Sequence, residues 1–586
     1  MNWREIWQNL DGSGSKCYLQ LGETVWSYEA MARRVQLTAA LFAERGLRPG
    51  DRLLISTRHE QHLIALVLAA LRFGLTAIVV DSSVKRRRLD SIVENSCPQL
   101  LAVDEDRGLS SELPLLQIDK APPKKSLASL LLGRKQSTPA DTFPGLLERP
   151  REAFAWQPQE DSRYALVFYT SGSTDDPKGV VLTLGNLAAH LTTLCQVYGL
   201  DGNARIHNIL NLYHADGLIQ GPLLALCSAS TLFRPLAFSL EQLAEFAHGF
   251  HRLRISHAIL VPALLAMLER YGQDLQDAFQ GADFRVLVSV SAHLEEGLWQ
   301  RFSQNFGVRV CNVYGLTETV AGSLFCGPGD EHFRLGTIGK PVDCEVRIEG
   351  GELCLRGPHI SPGYLNNPQA TAASFRDGWL YTGDIASCDG DGFYKIEGRK
   401  KNLVISGGFN IHPEEVAEVL HSHPQVREAF CFGLPDSVFG ERLVALVVAS
   451  AAESQLIEFC RQHLEPEKVP RELVLVAALP RGLSGKVQLP GALELYQERL
   501  GPARLTEGKT FDKLLEIAHG VFQLPPATLD RASNSTNVSG WDSLSHLNLV
   551  TALERNFGVR FATAEILTMS SLVSIERILD RHLEAL

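Results

Sequence analysis

The chain has no Cys-x-x-Cys pair among its 11 cysteines, no excess of basic charge and no internal repeat. Scattered cysteines exclude a zinc ribbon and a disulfide framework, and imply reduced thiols in a cytoplasmic protein. A net charge of −11 argues against a general nucleic-acid binder, and the one basic run, Lys85 to Arg88, reads as a solvated face. The start, Met1-Asn-Trp-Arg-Glu-Ile-Trp, lacks a hydrophobic signal core, and the apolar run Leu63 to Leu71 stops at Arg72. Neither export nor membrane insertion is expected.

What is present is an ordinary globular composition, 45% apolar and 21% charged, spread over 586 residues. That length exceeds one hydrophobic core and predicts about three or four domains. Ala30 to Glu44 and His62 to Phe73 show helical apolar spacing, and the second leads into the strand-like run Leu75 to Val80. Tyr164 to Phe168 reads as another buried strand, so helices alternate with strands and the fold class is α/β. Residues 119–163, rich in proline and lysine, read as an irregular connector. After Asp384, short strands at 403–405, 429–432, 444–448 and 473–476 intersperse with helices as a small α+β subdomain. Residues 500–508 read as a linker, and helical periodicity returns at Phe511 to Phe522 and Leu544 to Phe557.

The segment Tyr169-Thr-Ser-Gly-Ser-Thr-Asp-Asp-Pro-Lys-Gly179 follows the Tyr164 strand. Small hydroxyl and glycine residues let consecutive N–H groups form an anion nest, and Lys178 adds a mobile positive charge. This points to a nucleotide triphosphate. It is not a Walker A loop, because no Gly-Lys-Ser/Thr closes it.

Further along stand Val313-Tyr-Gly-Leu-Thr-Glu-Thr319, Trp379-Leu-Tyr-Thr-Gly-Asp384, the run from Glu397 to Glu415, and Leu479-Pro-Arg-Gly-Leu-Ser-Gly-Lys486. These motifs, in this order, resemble the adenylate-forming superfamily of acyl-CoA synthetases, luciferases and nonribosomal peptide synthetase adenylation domains, over roughly the first five hundred residues. The resemblance implies a large N-terminal domain at 1–398 and a small C-terminal subdomain at 399–499. It implies that ATP and a carboxylic acid form an acyl adenylate with release of pyrophosphate.

Roles carry over residue by residue. Thr170, Ser171, Gly172, Ser173 and Thr174 would hold the phosphates with Lys178, and Glu318 would ligate Mg2+ with help from Thr174. Tyr314 and Gly315 would border the adenine and acyl site, Thr317 would reach the α-phosphate, and Asp384 would accept both ribose hydroxyls. Arg399 would contact the nucleotide. Lys486 would stabilise charge building on the carboxylate and α-phosphate. Lys401 falls at the hinge between half-reactions, after which Gly407 and Gly408 would line a pantetheine tunnel. One departure is Asp175, a negative charge within an anion loop.

Gly540-Trp-Asp-Ser-Leu-Ser-His-Leu547 resembles the attachment site of an acyl or peptidyl carrier domain, implying an all-α four-helix module at 509–586. Ser543 would then carry 4'-phosphopantetheine, with a phosphopantetheinyl transferase and a downstream synthase or tailoring enzyme as partners. The leading expectation is a ligase that loads its own carrier for a polyketide or nonribosomal peptide type of pathway. A free acyl-CoA ligase, an adenylation-thiolation didomain for an amino acid, and a non-catalytic carrier scaffold remain alternatives.

The acid pocket is expected from segments containing Tyr213, His214, Asp216, Gly217, Ser291 and Ala292. His214 stands where domains selecting α-amino acids usually carry Asp, which predicts an acid without an α-ammonium group. Asp216 leaves open an amine further along the substrate.

Overall fold

The computed structural model describes residues 1–84, 86–104, 113–118, 142–170, 178–234, 242–272, 274–400, 404–406, 409–436, 440–464, 468–481, 487–500, 510–522, 524, 529–530, 533–534, 538, 541, 543–561, 563–566, 569, 571 and later residues to 584. Among them are four sheets. One has nine strands, in the order Lys340–Pro341, Leu324–Cys326, Val310–Tyr314, Val286–Ser289, His257–Leu260, Arg205–Asn208, Thr231–Arg234, Cys17–Leu21 and Thr24–Ser27. Its six central strands, from Val310–Tyr314 to Cys17–Leu21, run parallel. A seven-stranded sheet is ordered Gly363–Tyr364, Lys178–Thr183, Tyr164–Thr170, Thr76–Val79, Arg52–Ser56, Leu100–Val103 and Leu115–Gln117.

The helix Glu60–Phe73 explains why the apolar run near Leu63 stays inside the protein. Every residue from Leu63 to Leu71 is at most 3% exposed, so the helix is apolar all round because it is covered all round. Each buried leucine contributes about 2 kcal/mol of transfer free energy, and Gly74, left-handed at φ 94°, ends the helix before the strand Thr76–Val79. No helix among the described residues is long and apolar enough to cross a membrane.

A third sheet is ordered Glu345–Glu349, Glu352–Arg356, Trp379–Cys388 and Phe375–Arg376, and on the edge away from Glu352–Arg356 the strand Trp379–Cys388 also pairs with Tyr394–Arg399. That last strand crosses the expected boundary at 398, because Arg399 is in register with Asp384 and still belongs to the large lobe's sheet. The small lobe is the sheet Phe409–Ile411, Val404–Ser406, Gly440–Ala449 and Val426–Asp436, with Glu472–Leu475 parallel to Gly440–Ala449. The expected connector contains a short helix, Phe143–Leu147, with Pro144 in its first turn where a missing N–H costs nothing. Leu500, expected in a linker, ends the helix Leu489–Leu500. Beyond it lie the helices Thr510–Phe522, Ser543–Phe557, Thr563–Ile566 and Leu572–Glu584.

Candidate active site

In an open α/β sheet, ligands settle beyond the carboxyl ends of parallel strands. Tyr314 ends its strand there, Ser291 and Ala292 follow Val286–Ser289, and Tyr213 to Gly217 follow Arg205–Asn208.

The Tyr314 hydroxyl donates to Asp384 Oδ2 at 2.5 Å, and Arg399 Nε lies 2.6 Å from Asp384 Oδ1. Asp384 is only 2% exposed, so its charge needs these donors. Burial, and then the Asp384 charge, push the Tyr314 phenol well above its ordinary range, which keeps it a donor. Each carboxylate oxygen accepts more than one hydrogen bond, so this pair of oxygens suits a vicinal diol.

Four residues past Tyr314, the 3-10 turn Thr317–Thr319 presents Glu318. The Tyr364 hydroxyl donates to Glu318 Oε1 at 2.8 Å, and Lys178 Nζ sits 5.2 Å from the centre of the Tyr364 ring. Glu318 Oε2 has no hydrogen-bond partner among the described residues. A partly exposed carboxylate with one oxygen fixed and one open fits the hard, oxygen-seeking Mg2+. The turn itself is tightly made. A Cβ at Gly315 would sit 1.8 Å from the Ala321 carbonyl oxygen, so only glycine fits. Val320 is fully buried with a positive φ of 68°, an outlier for a β-branched residue. Gly322 N–H donates to buried His190 Nε2 at 3.1 Å, and burial holds His190 well below its ordinary value.

The strands Tyr164–Thr170 and Lys178–Thr183 pair, with Thr170 opposite Lys178. This puts the two ends of the expected phosphate loop at the sheet's carboxyl edge. Ser171, Gly172, Ser173, Thr174 and Asp175 lie outside the described residues, as does the Thr170 side chain. So do Lys401, Gly407, Gly408 and Lys486, although Arg481 and Val487 on either side of the last form an antiparallel bridge. Ser543 opens the helix Ser543–Phe557, and its side chain too is outside that set.

Among the residues expected to line the acid pocket, the Ser291 hydroxyl donates to Asp216 Oδ2, and Gln220 Nε2 donates to Asp216 Oδ1 at 2.7 Å. Gln220 is fully buried and also accepts from the Tyr198 hydroxyl at 2.8 Å. It sits on the single π-helical turn Ile219–Leu223, a distortion frequent at functional sites. A Cβ at Gly217 would lie 2.1 Å from the Asn211 carbonyl oxygen. His214 is exposed, its ring tilted 55° to that of Tyr213 with centres 4.7 Å apart, and Ala292 is exposed as well. Tyr364 and Gln220 were not among the expected site residues. Glu318 and Tyr364 are 46 residues apart, and no local pattern marks such a pair.

These features define the adenylate-forming class of α/β enzymes, with a large N-terminal and a small C-terminal domain. The chain belongs to the AMP-binding enzyme family, matching it over residues 8–365, and matches the AMP-binding enzyme C-terminal domain over residues 415–486. It is 28% identical over 524 residues to a probable CoA ligase of Humulus lupulus, covering 84% of this chain and 96% of that one. It is 35% identical over 370 residues to the sulfoacetate–CoA ligase of Cupriavidus necator, covering 60% and 70% respectively. Oxalate–CoA ligase of Arabidopsis thaliana is 28% identical over 470 residues, 76% of this chain and 89% of its own. The fold is similar to that of ATP-bound MatB from Rhodopseudomonas palustris, with a TM-score of 0.75 at 24% identity over 85% of this chain and 100% of the other. Against o-succinylbenzoate CoA synthetase of Bacillus subtilis with its acyl-adenylate, the TM-score is 0.72 at 24% identity, covering 86% and 99%.

Proposed function

We propose that this enzyme uses ATP to activate a small carboxylic acid as an acyl adenylate, then transfers the acyl group to the thiol of CoA. One observation carries the reading. The short loop from Tyr314 to Glu318 joins a carboxylate suited to a diol, Asp384 with Tyr314 and Arg399, to a carboxylate, Glu318, that shares Tyr364 with the cation Lys178. A nucleoside triphosphate has that order of groups. The CoA ligases among its relatives support CoA as the acceptor.

In this reading Asp384 holds the ribose, while Lys178 and residues 170–174 hold the phosphates. Mg2+, held by Glu318 and Thr174, supplies positive charge to the triphosphate. Thr317 reaches the α-phosphate, and Lys486 stabilises the charge that builds as the carboxylate attacks. Lys401 is the pivot about which the small lobe turns, and Gly407 and Gly408 then border the pantetheine arm. The acid has no α-ammonium group, because His214 offers no fixed negative charge to pair with one.

Incubation with ATP, Mg2+, CoA and a panel of acids, followed by mass analysis of the small molecules, tests this. An acyl-CoA is the expected product. AMP formed without any acyl-CoA would refute CoA as acceptor.

A second acceptor is favoured by the helices after residue 510, which lie beyond both family matches and place Ser543 at a helix start. Here Ser543 carries 4'-phosphopantetheine, installed by a phosphopantetheinyl transferase, and hands the acyl group to a downstream synthase or tailoring enzyme. Intact-protein mass measurement after treatment with a transferase and CoA tests it. A mass gain lost in Ser543→Ala supports this acceptor, and an unmodified chain rejects it.

A further inference from the structure

Tyr364 belongs to neither the nucleoside carboxylate site nor the acid pocket, yet it touches both charged groups at the phosphate end. Its hydroxyl donates to Glu318 Oε1, and its ring face lies beneath the Lys178 ammonium. Two unlike interactions from one side chain fix two unlike partners. The hydrogen bond to a charged carboxylate is of the stronger kind, and the cation over the ring restrains a side chain that otherwise samples many rotamers.

Tyr364 is itself held on several sides. The strand Gly363–Tyr364 pairs with Lys178–Thr183, setting Tyr364 opposite Val180, two residues from Lys178. Leu365 N–H donates to the Gly179 carbonyl at 2.7 Å, and Tyr364 N–H donates to Thr371 Oγ1 at 3.0 Å. Just before it, Asn186 Nδ2 donates to the carbonyls of Pro358 and Ile360 at 2.8 and 2.9 Å. Ser361 N–H donates to the Glu318 carbonyl at 2.8 Å, while its hydroxyl donates to the Val181 carbonyl at 2.7 Å. The segment therefore ties the Glu318 turn to the Lys178 strand through backbone as well as side chains.

We infer that Tyr364 is a positioning residue: its hydroxyl fixes one Glu318 oxygen so that the other is presented to Mg2+, and its ring seats Lys178 for the phosphates. This rests on the ATP-dependent reading above. It adds a residue that acts through Glu318 and Lys178 without touching the reacting atoms.

Tyr364→Phe removes the hydroxyl and keeps the ring, whereas Tyr364→Leu removes both. Two readouts are compared with the wild-type enzyme: the Mg2+ dependence of acid-dependent pyrophosphate exchange, and ATP binding by calorimetry at low and high Mg2+. Loss of a residue that orients a metal ligand weakens metal affinity by about tenfold or more. Tyr364→Phe is expected to need about tenfold more Mg2+ for half-maximal exchange and for tight ATP binding, with the deficit shrinking as Mg2+ saturates. Tyr364→Leu should in addition weaken ATP binding measured without Mg2+, through Lys178. If Tyr364→Phe shows the wild-type Mg2+ dependence in the binding assay, the inference is overturned. A uniform loss of activity with unchanged Mg2+ dependence also overturns it, leaving Tyr364 a packing residue. Should wild type bind ATP with Mg2+ yet exchange pyrophosphate with no acid, the proposed reaction fails and the calorimetry still decides the role of Tyr364. A wild type that binds no ATP refutes both.

Discussion

Asp384 gathers a tyrosine hydroxyl and a guanidinium, so its carboxylate is held in one orientation. Such fixing limits the ordering cost of binding. Asp384→Ala removes the proposed diol acceptor and leaves Arg399 without its buried partner. Each charge-assisted hydrogen bond lost costs about 1.5–3 kcal/mol, so kcat/KM for ATP should fall about a hundredfold or more. A fall of less than about threefold would dismiss the ribose role. Gly315→Ala tests the turn that carries Glu318. Its Cβ would meet the Ala321 carbonyl oxygen at 1.8 Å, and that backbone has to move. Activity should drop more steeply than thermal stability, whereas parallel losses would make Gly315 a folding residue only.

The Tyr314–Thr319 turn and Asp384 were legible as motifs that resemble the adenylate-forming superfamily, and the structure brings Tyr314 and Asp384 into hydrogen-bond contact. Gln220 and Tyr364 were not legible. The Gln220 amide matters because a π-helical turn swings it between Tyr198 and Asp216, and a distortion of that kind leaves no periodic trace.

At the scale of elements, parallel strands set the site by ending together, and the helices behind them hold the connecting loops in place. The strand Lys178–Thr183 runs directly into the helix Leu184–Tyr198, capped by Thr183, and that helix supplies both Asn186 and His190 to the site's supporting loops. Strand and helix order were readable from apolar periodicity. The exact ends were not, as with Arg399, because pairing with Asp384 on a neighbouring strand decides where that strand stops. The proposed hinge at Lys401 makes a separable prediction. Lys486→Ala should abolish adenylate formation yet leave thioester formation from supplied acyl adenylate largely intact, while Lys401→Pro, with φ locked, should do the reverse. Single-turnover assays of each half-reaction check this, and equal loss of both steps in either variant would rule out its assigned role.

Across the whole molecule, buried neutral histidines set a lower pH limit. Burial holds His207 down to about 3 and His359 down to about 4, against an ordinary 6.5. Above about 6.5 these rings are neutral in both folded and unfolded chains, so they add no pH dependence. Below it the unfolded chain binds protons that the folded chain refuses, so stability falls as pH drops, by about 1 kcal/mol per unit for each ring, towards about 4. His190 adds a local effect, because a protonated ring cannot accept from Gly322 N–H. Melting temperatures between about pH 7.5 and pH 5 check the sign. A flat profile, or greater stability at the acid end, would contradict the neutral assignment.

In the proposed reaction ATP and a carboxylic acid meet at the Tyr314–Glu318 loop to form an acyl adenylate. Exchange of labelled pyrophosphate into ATP, measured with a panel of carboxylic and amino acids, observes that step with no thiol present. At least one acid without an α-ammonium group should give exchange well above the acid-free background, and Asp384→Ala should remove it. Strongest exchange with an ordinary α-amino acid would contradict the pocket assignment, and no exchange with any acid by an enzyme that binds ATP would contradict the account itself.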